Sequence, residues 1–114
     1  MHVLFGLVGG GNFELARTFG DIGGRYVGLR HELNAAAAGD AYSRTTRSIG
    51  AVTLTQGPGL THAVTAIFEA VKSGTPMLIL AADTADQLAN QAVNQAALAA
   101  AAGAGFERWD QPQV

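Results

Sequence analysis

The chain has 114 residues, 48% of them hydrophobic, which suits one domain with a real core. It contains no cysteine, so disulfide frameworks and thiolate metal sites are excluded. The net charge is −2 and the few basic residues are scattered, so no patch recommends nucleic acid or an anionic membrane as a partner. The apolar runs fall short of the ~20 residues of a membrane span. The N-terminus lacks the basic start and cleavage site of a secretion signal, and a cytoplasmic protein is expected.

The first element is an apolar run from Val3 to Val8, read as a buried strand. Gly9-Gly10-Gly11 follows, then Asn12, a suitable helix N-cap, and a helix over Phe13 to Phe19 with Glu14 in its first turn. Gly20, Gly23 and Gly24 stop that helix. A weaker strand covers Tyr26 to Leu29, and an alanine-rich helix follows Glu32, where Ala35 to Ala38 allow close approach to a neighbour. Ile49 to Thr55 is the next strand. Leu60, Ala63, Val64, Ile67, Phe68 and Val71 then form one face of a helix reaching Lys72. A strand over Met77 to Ala82 and a helix over Gln95 to Ala102, stopped by Gly103 and Gly105, complete the series.

Strands alternating with helices imply right-handed crossovers and a parallel sheet: an α/β fold of three layers, α/β/α. Ligands of such sheets sit at the carboxyl ends of the strands. Glu32 and the Gly57-Pro58-Gly59 turn both follow strands, so both belong on that edge. Four strands make a thin sheet with open edges. Both ends of the chain look abrupt, and the expectation is a single domain, 1–114, truncated at both ends.

Gly9-Gly10-Gly11 is a poor phosphate loop. Glu14 stands where a G-x-G-x-x-G pattern needs its third glycine, and the only lysine, Lys72, is far from a Walker position. Glu32 alone is a first-turn partner of the helix dipole or a surface acid. The glycines of the Gly57 to Gly59 turn permit unusual backbone angles, and Pro58 fixes one. His62, one turn into its helix, has the look of a cap or surface residue, and Gln91 that of an exposed polar residue.

Taken together, two segments say more. The run Arg30-His31-Glu32-Leu33-Asn34-Ala35-Ala36-Ala37-Ala38-Gly39-Asp40-Ala41-Tyr42-Ser43-Arg44 precedes Thr55-Gln56-Gly57-Pro58-Gly59-Leu60-Thr61-His62. In this order and spacing they resemble the N-terminal pyrimidine-binding module of thiamine-diphosphate enzymes, of the acetolactate synthase and benzaldehyde lyase type. The second segment resembles the family's Thr-Ser-Gly-Pro-Gly-x-Thr-Asn, with departures at Gln56 and His62. Phe5-Gly6-Leu7-Val8-Gly9-Gly10 resembles a Phe-Gly-x-Pro-Gly-Gly turn, with Val8 in place of proline. Gln91-Ala92-Val93-Asn94-Gln95 resembles Gln-x-x-Asp-Gln, with Asn94 departing from the acid.

The resemblance implies a decarboxylating and carboligating enzyme acting on 2-oxo acids, with a 2-oxo acid decarboxylase, an aldehyde lyase or a non-catalytic assembly module of the same fold as rivals. It implies that Glu32 is the activating acid. A carboxyl group hydrogen-bonded to N1′ of the pyrimidine promotes the tautomer in which the cofactor's own 4′-amino group removes the C2 proton. Such a group works best in a dry site. Thr55, Gly57, Pro58, Gly59 and His62 would line the pyrimidine, and Val8, Gly9 and Gln91 would face substrate.

Nothing in the chain resembles the Gly-Asp-Gly…Asn motif that holds the diphosphate and its Mg2+ in these enzymes. Gly39-Asp40-Ala41 lacks the second glycine and lies inside a helix, and the acids do not cluster as a magnesium site requires. No metal ligand is therefore assigned here. The resemblance implies that Mg2+ is held by the diphosphate-binding module of a second subunit, in a homodimer or homotetramer. Some full-length relatives also carry FAD.

Overall fold

The computed structural model describes residues 1–109. Its elements run β1 (Val3–Gly6), α1 (Phe13–Asp21), β2 (Arg25–Gly28), α2 (Glu32–Thr46), β3 (Gly50–Leu54), α3 (Pro58–Lys72), β4 (Met77–Ala81) and α4 (Gln95–Ala102). The strands form one parallel sheet in the order β2-β1-β3-β4, with Leu4 opposite both Tyr26 and Ala51, and Val52 opposite Ile79. The chain steps outward from β1 to β2, then returns across β1 to β3 and on to β4. With right-handed crossovers, that reversal puts α1 on one face and α2 and α3 on the other. The direction changes between β1 and β3, so the crevice beyond their carboxyl ends is the natural ligand site. The expected α/β architecture is the one observed.

The core centres on β3, whose five residues are all buried. Val52 and Leu54 pack with Ala35 and Ala36 of α2 and with Leu60, Ala63 and Ala66 of α3. The alanines do what their size allows: α2 approaches the sheet until Gly39 meets Val52 and its main chain touches Gly50. A β-carbon on Gly39 would lie 2.5 Å from Val52 Cγ2. Side chains farther along α2 fasten it down. Tyr42 meets Phe5 edge to face at 5.6 Å, and Ser43 Oγ donates to the Pro76 carbonyl at 2.8 Å. Arg44 donates to both oxygens of buried Asp40 and also reaches Thr75 and Glu69, tying α2 to α3 and to the entry of β4. Burial pushes the Asp40 carboxyl up, but hydrogen bonds from Arg44 and Thr75, with the Arg44 charge, hold it below the ordinary aspartate value. The Gly39 to Arg44 part of the signature run is thus a structural clamp.

Some boundaries move. The first strand ends at Gly6, not Val8, and the third begins at Gly50, leaving Ile49 exposed. Helix α3 starts at Pro58, where proline's missing N–H costs nothing. Its inward face uses Ala66 and Ala70, and Phe68 is exposed with the Lys72 ammonium over its ring. The expected capping role of Asn12 is also revised: it precedes α1, but its side chain makes no cap bond there. It is 2% exposed and holds the neighbouring loop instead. Strand β4 lies at the sheet edge, with Leu78 40% exposed.

Candidate functional site

Strand β2 leads directly into the site. Leu29 N–H donates to the Gly6 carbonyl, which keeps the chain beside β1 for one residue beyond the strand. The backbone of His31 is extended, and its Nδ1 accepts the Leu33 N–H at 3.0 Å, so His31 caps α2 with its ring. Glu32 is then the first helical residue, buried at 8% exposure, with its carboxylate at the positive end of the helix dipole.

His62 comes to Glu32 from α3. Its Nδ1 lies 3.0 Å from Glu32 Oε2, and its ring stacks on His31 with centroids 4.8 Å apart. Among the described residues, Glu32 Oε1 takes no hydrogen bond, and no buried side-chain nitrogen or oxygen lacks a partner. Oε1 therefore faces accessible space. It points toward the glycine turn: a β-carbon on Gly59 would be 3.7 Å away.

The turn is tightly constrained. Gly57 has φ +67°, a value that favours glycine, and caps α3, with Pro58 at the first helical position. A β-carbon on Gly59 would come within 2.8 Å of Thr55 Cγ2. Bare main chain therefore lies beside the open oxygen of a buried carboxylate.

The other candidate residues form an adjoining polar cluster. Thr55 Oγ1 accepts from Gly11 N–H and donates to Gln56 Oε1, and Gln56 Nε2 donates to Gln91 Oε1 at 2.9 Å. Asn12 accepts from Gly9 N–H at 2.7 Å and donates to the Leu7 carbonyl and Thr53 Oγ1. Gly9 packs on Thr55, while Val8 is exposed beside Tyr26 and Phe13. Gln91 is exposed and bound to Gln56, whereas Gln95 is buried, its amide donating to the Ala82 carbonyl. Asn94 caps α4 by accepting the Ala97 N–H, a role that asparagine and aspartate fill equally well.

Metal-ligand atoms of His31, Glu32 and His62 lie within 4.8 Å of one another. Two nitrogens and one carboxylate are not the all-oxygen set that Mg2+ prefers. A cavity of about 990 Å3 lies elsewhere, between β4, α3, α4 and residues 104–109, and Glu32 does not line it.

Over residues 1–105 the chain matches the family described as thiamine pyrophosphate enzyme, N-terminal TPP binding domain. The chain belongs to that family. It is 40% identical over 102 residues to 2-hydroxyacyl-CoA lyase 2 of Bos taurus, covering 86% of this chain and 16% of the relative. It is 34% identical over 89 residues to the acetolactate synthase large subunit of Haemophilus influenzae, covering 77% of this chain and 16% of the relative. A solved structure described as a thiamin diphosphate-dependent enzyme from Mycobacterium smegmatis shares the fold, with TM-score 0.70 at 24% identity over 77% of this chain and 17% of that one. The chain thus spans about one sixth of the length of the relatives it matches. Among the described residues, no helix is long and apolar enough to cross a membrane.

Two contributors were not singled out as site residues in the sequence. His31 acts through a ring-mediated cap and a stack on a residue 31 positions away, and neither leaves a local pattern. Gln56 stood out only as a departure from the family turn, and its role depends on Gln91, brought in from beyond β4.

Proposed function

We propose that this domain binds the aminopyrimidine of thiamine diphosphate and activates it through Glu32, within an enzyme that makes or breaks a carbon–carbon bond beside a carbonyl. The observation that carries the reading is the buried Glu32 carboxylate with one oxygen on His62 and the other open beside the Gly57–Gly59 turn. When bound, thiamine diphosphate supplies a nucleophilic carbon at C2. Glu32 would hold or release a proton at the pyrimidine N1′, Oε1 being the oxygen free to do so. Gly57 and Gly59 would admit the ring, and the Thr55, Gln56 and Gln91 network would brace the turn. His62 would orient the carboxylate. Val8, Gly9 and Gln91 would face substrate, and the diphosphate and Mg2+ would rest on another module, in a homodimer or larger assembly.

Acetolactate-synthase-type chemistry on 2-oxo acids remains the first reading. The identity to 2-hydroxyacyl-CoA lyase 2 supports a second, cleavage of a 2-hydroxyacyl-CoA. Calorimetry of the intact protein with thiamine diphosphate and Mg2+ tests the binding, and turnover of pyruvate against a 2-hydroxyacyl-CoA separates the two substrates. Glu32→Gln should bind the cofactor yet slow exchange of its C2 proton by about 10²–10⁴-fold. Wild-type exchange in that variant would remove Glu32 from the mechanism.

A further inference from the structure

An acid that serves the pyrimidine must gain and lose a proton, and once a ring is seated on Oε1, Glu32 is poorly placed to trade one with water directly. Its side chain is 11% exposed, whereas that of His62 is 52% exposed. With Oε1 open toward the glycine turn, Oε2 is the oxygen left for proton traffic, and its partner is His62 Nδ1 at 3.0 Å. The other titratable group against His62 is His31. Its stacked ring restrains the His62 plane, and its own Nδ1 is engaged by Leu33 N–H.

We propose that His62 is the proton conduit between Glu32 and bulk water; the inference rests on the pyrimidine-binding reading above. Protonated Glu32 gives the Oε2 proton to the Nδ1 lone pair of neutral His62, which carries its own proton on Nε2. The imidazolium then gives the Nε2 proton to water. One O–H bond breaks as an N–H forms at Nδ1, and one N–H breaks at Nε2 as water gains a proton. The product is a carboxylate accepting a hydrogen bond from Nδ1–H, and the reverse sequence reloads Glu32. The related sequence pattern has asparagine here, whose amide can donate to the carboxylate but cannot pass a proton on. Histidine in this chain therefore adds transport to positioning.

The first test is nitrogen NMR of histidine-labelled intact protein without cofactor, with the His62 signal assigned by its loss in His62→Asn. Protonation on Nδ1 is expected, reverting in Glu32→Ala to the Nε2–H form that free imidazole prefers. A His62 signal unchanged by Glu32→Ala overturns the coupling. The second test loads the protein with thiamine diphosphate. At saturating thiamine diphosphate, His62→Asn should slow C2 proton exchange by about tenfold or more. Added imidazole should restore exchange in His62→Ala. Wild-type exchange in His62→Asn overturns the conduit and leaves His62 with positioning alone. If the wild-type protein binds no thiamine diphosphate, the pyrimidine-binding reading fails, and the NMR result still decides whether Glu32 and His62 share a proton.

Discussion

Gly57 lies so close against Gln91 that a β-carbon on Gly57 would stand 2.7 Å from the Gln91 carbonyl oxygen and 2.8 Å from its α-carbon. The turn that opens α3 is therefore shaped by a segment that follows β4, over thirty residues later in the chain. Gly57→Ala combines a left-handed φ with this collision and should cost about 1–3 kcal/mol. Denaturant unfolding measures the loss, and a change below about 0.5 kcal/mol would show that the Gln91 segment yields easily.

Helix α2 crosses β3 at an equally close contact. A β-carbon on Gly50 would overlap the Gly39 carbonyl, which is main chain and cannot rotate away. Gly50→Ala should destabilise by about 1–3 kcal/mol as α2 is pushed off the sheet. Because Glu32 begins α2, the same variant should weaken thiamine diphosphate binding. Unaltered stability with unaltered binding would mean that the helix position is not set by this contact.

Asn12 should prove more costly to lose than its place before α1 suggests. It is 2% exposed and serves Gly9 N–H, the Leu7 carbonyl and Thr53 Oγ1. Asn12→Ala leaves those groups without their partner and should cost about 2–3 kcal/mol. Amide exchange at Gly9 should quicken by the corresponding factor. Slow exchange at Gly9 in the variant would show that other contacts hold the glycine loop.

The Asp40–Arg44 pair gives a pH dependence with a definite sign. The Asp40 carboxyl is held below its ordinary value in the folded protein, so the unfolded chain binds its proton first as pH falls. The pair's contribution is fully present above the ordinary aspartate value, about pH 4, and is lost as pH drops through the folded value. Arg44 is 45% exposed, so screening keeps the contribution small. Asp40→Asn should lower stability slightly at pH 7, and the gap to wild type should close in acid. A gap that stays constant down to pH ~3 would assign the effect to packing rather than charge.

Much of this molecule was legible before folding was considered. The apolar runs located all four strands, although only β3 is buried along its whole length, and element boundaries shifted by only a few positions. Alternation of strands and helices implied the parallel sheet, and topology alone put Glu32 and the Gly57 turn on one edge. The small residues from Ala35 to Ala38 foretold the close approach of α2, and the structure adds Gly39 as the point of tightest contact with the strand. Tertiary structure alone decided which partners meet. Asn12 turned from helix cap to loop brace because Thr53 lies beside it across the sheet. Asp40 and Arg44 left the signature for a structural clamp because α3 and Thr75 come within reach. His62 became the partner of Glu32 because α2 and α3 start side by side at the end of the sheet. Local patterns are set by each residue's own conformational preferences and its near neighbours. The pairing of a carboxylate with an imidazole 30 positions away is set by the packing of two helices on a common strand, and that arises only when the sheet has assembled.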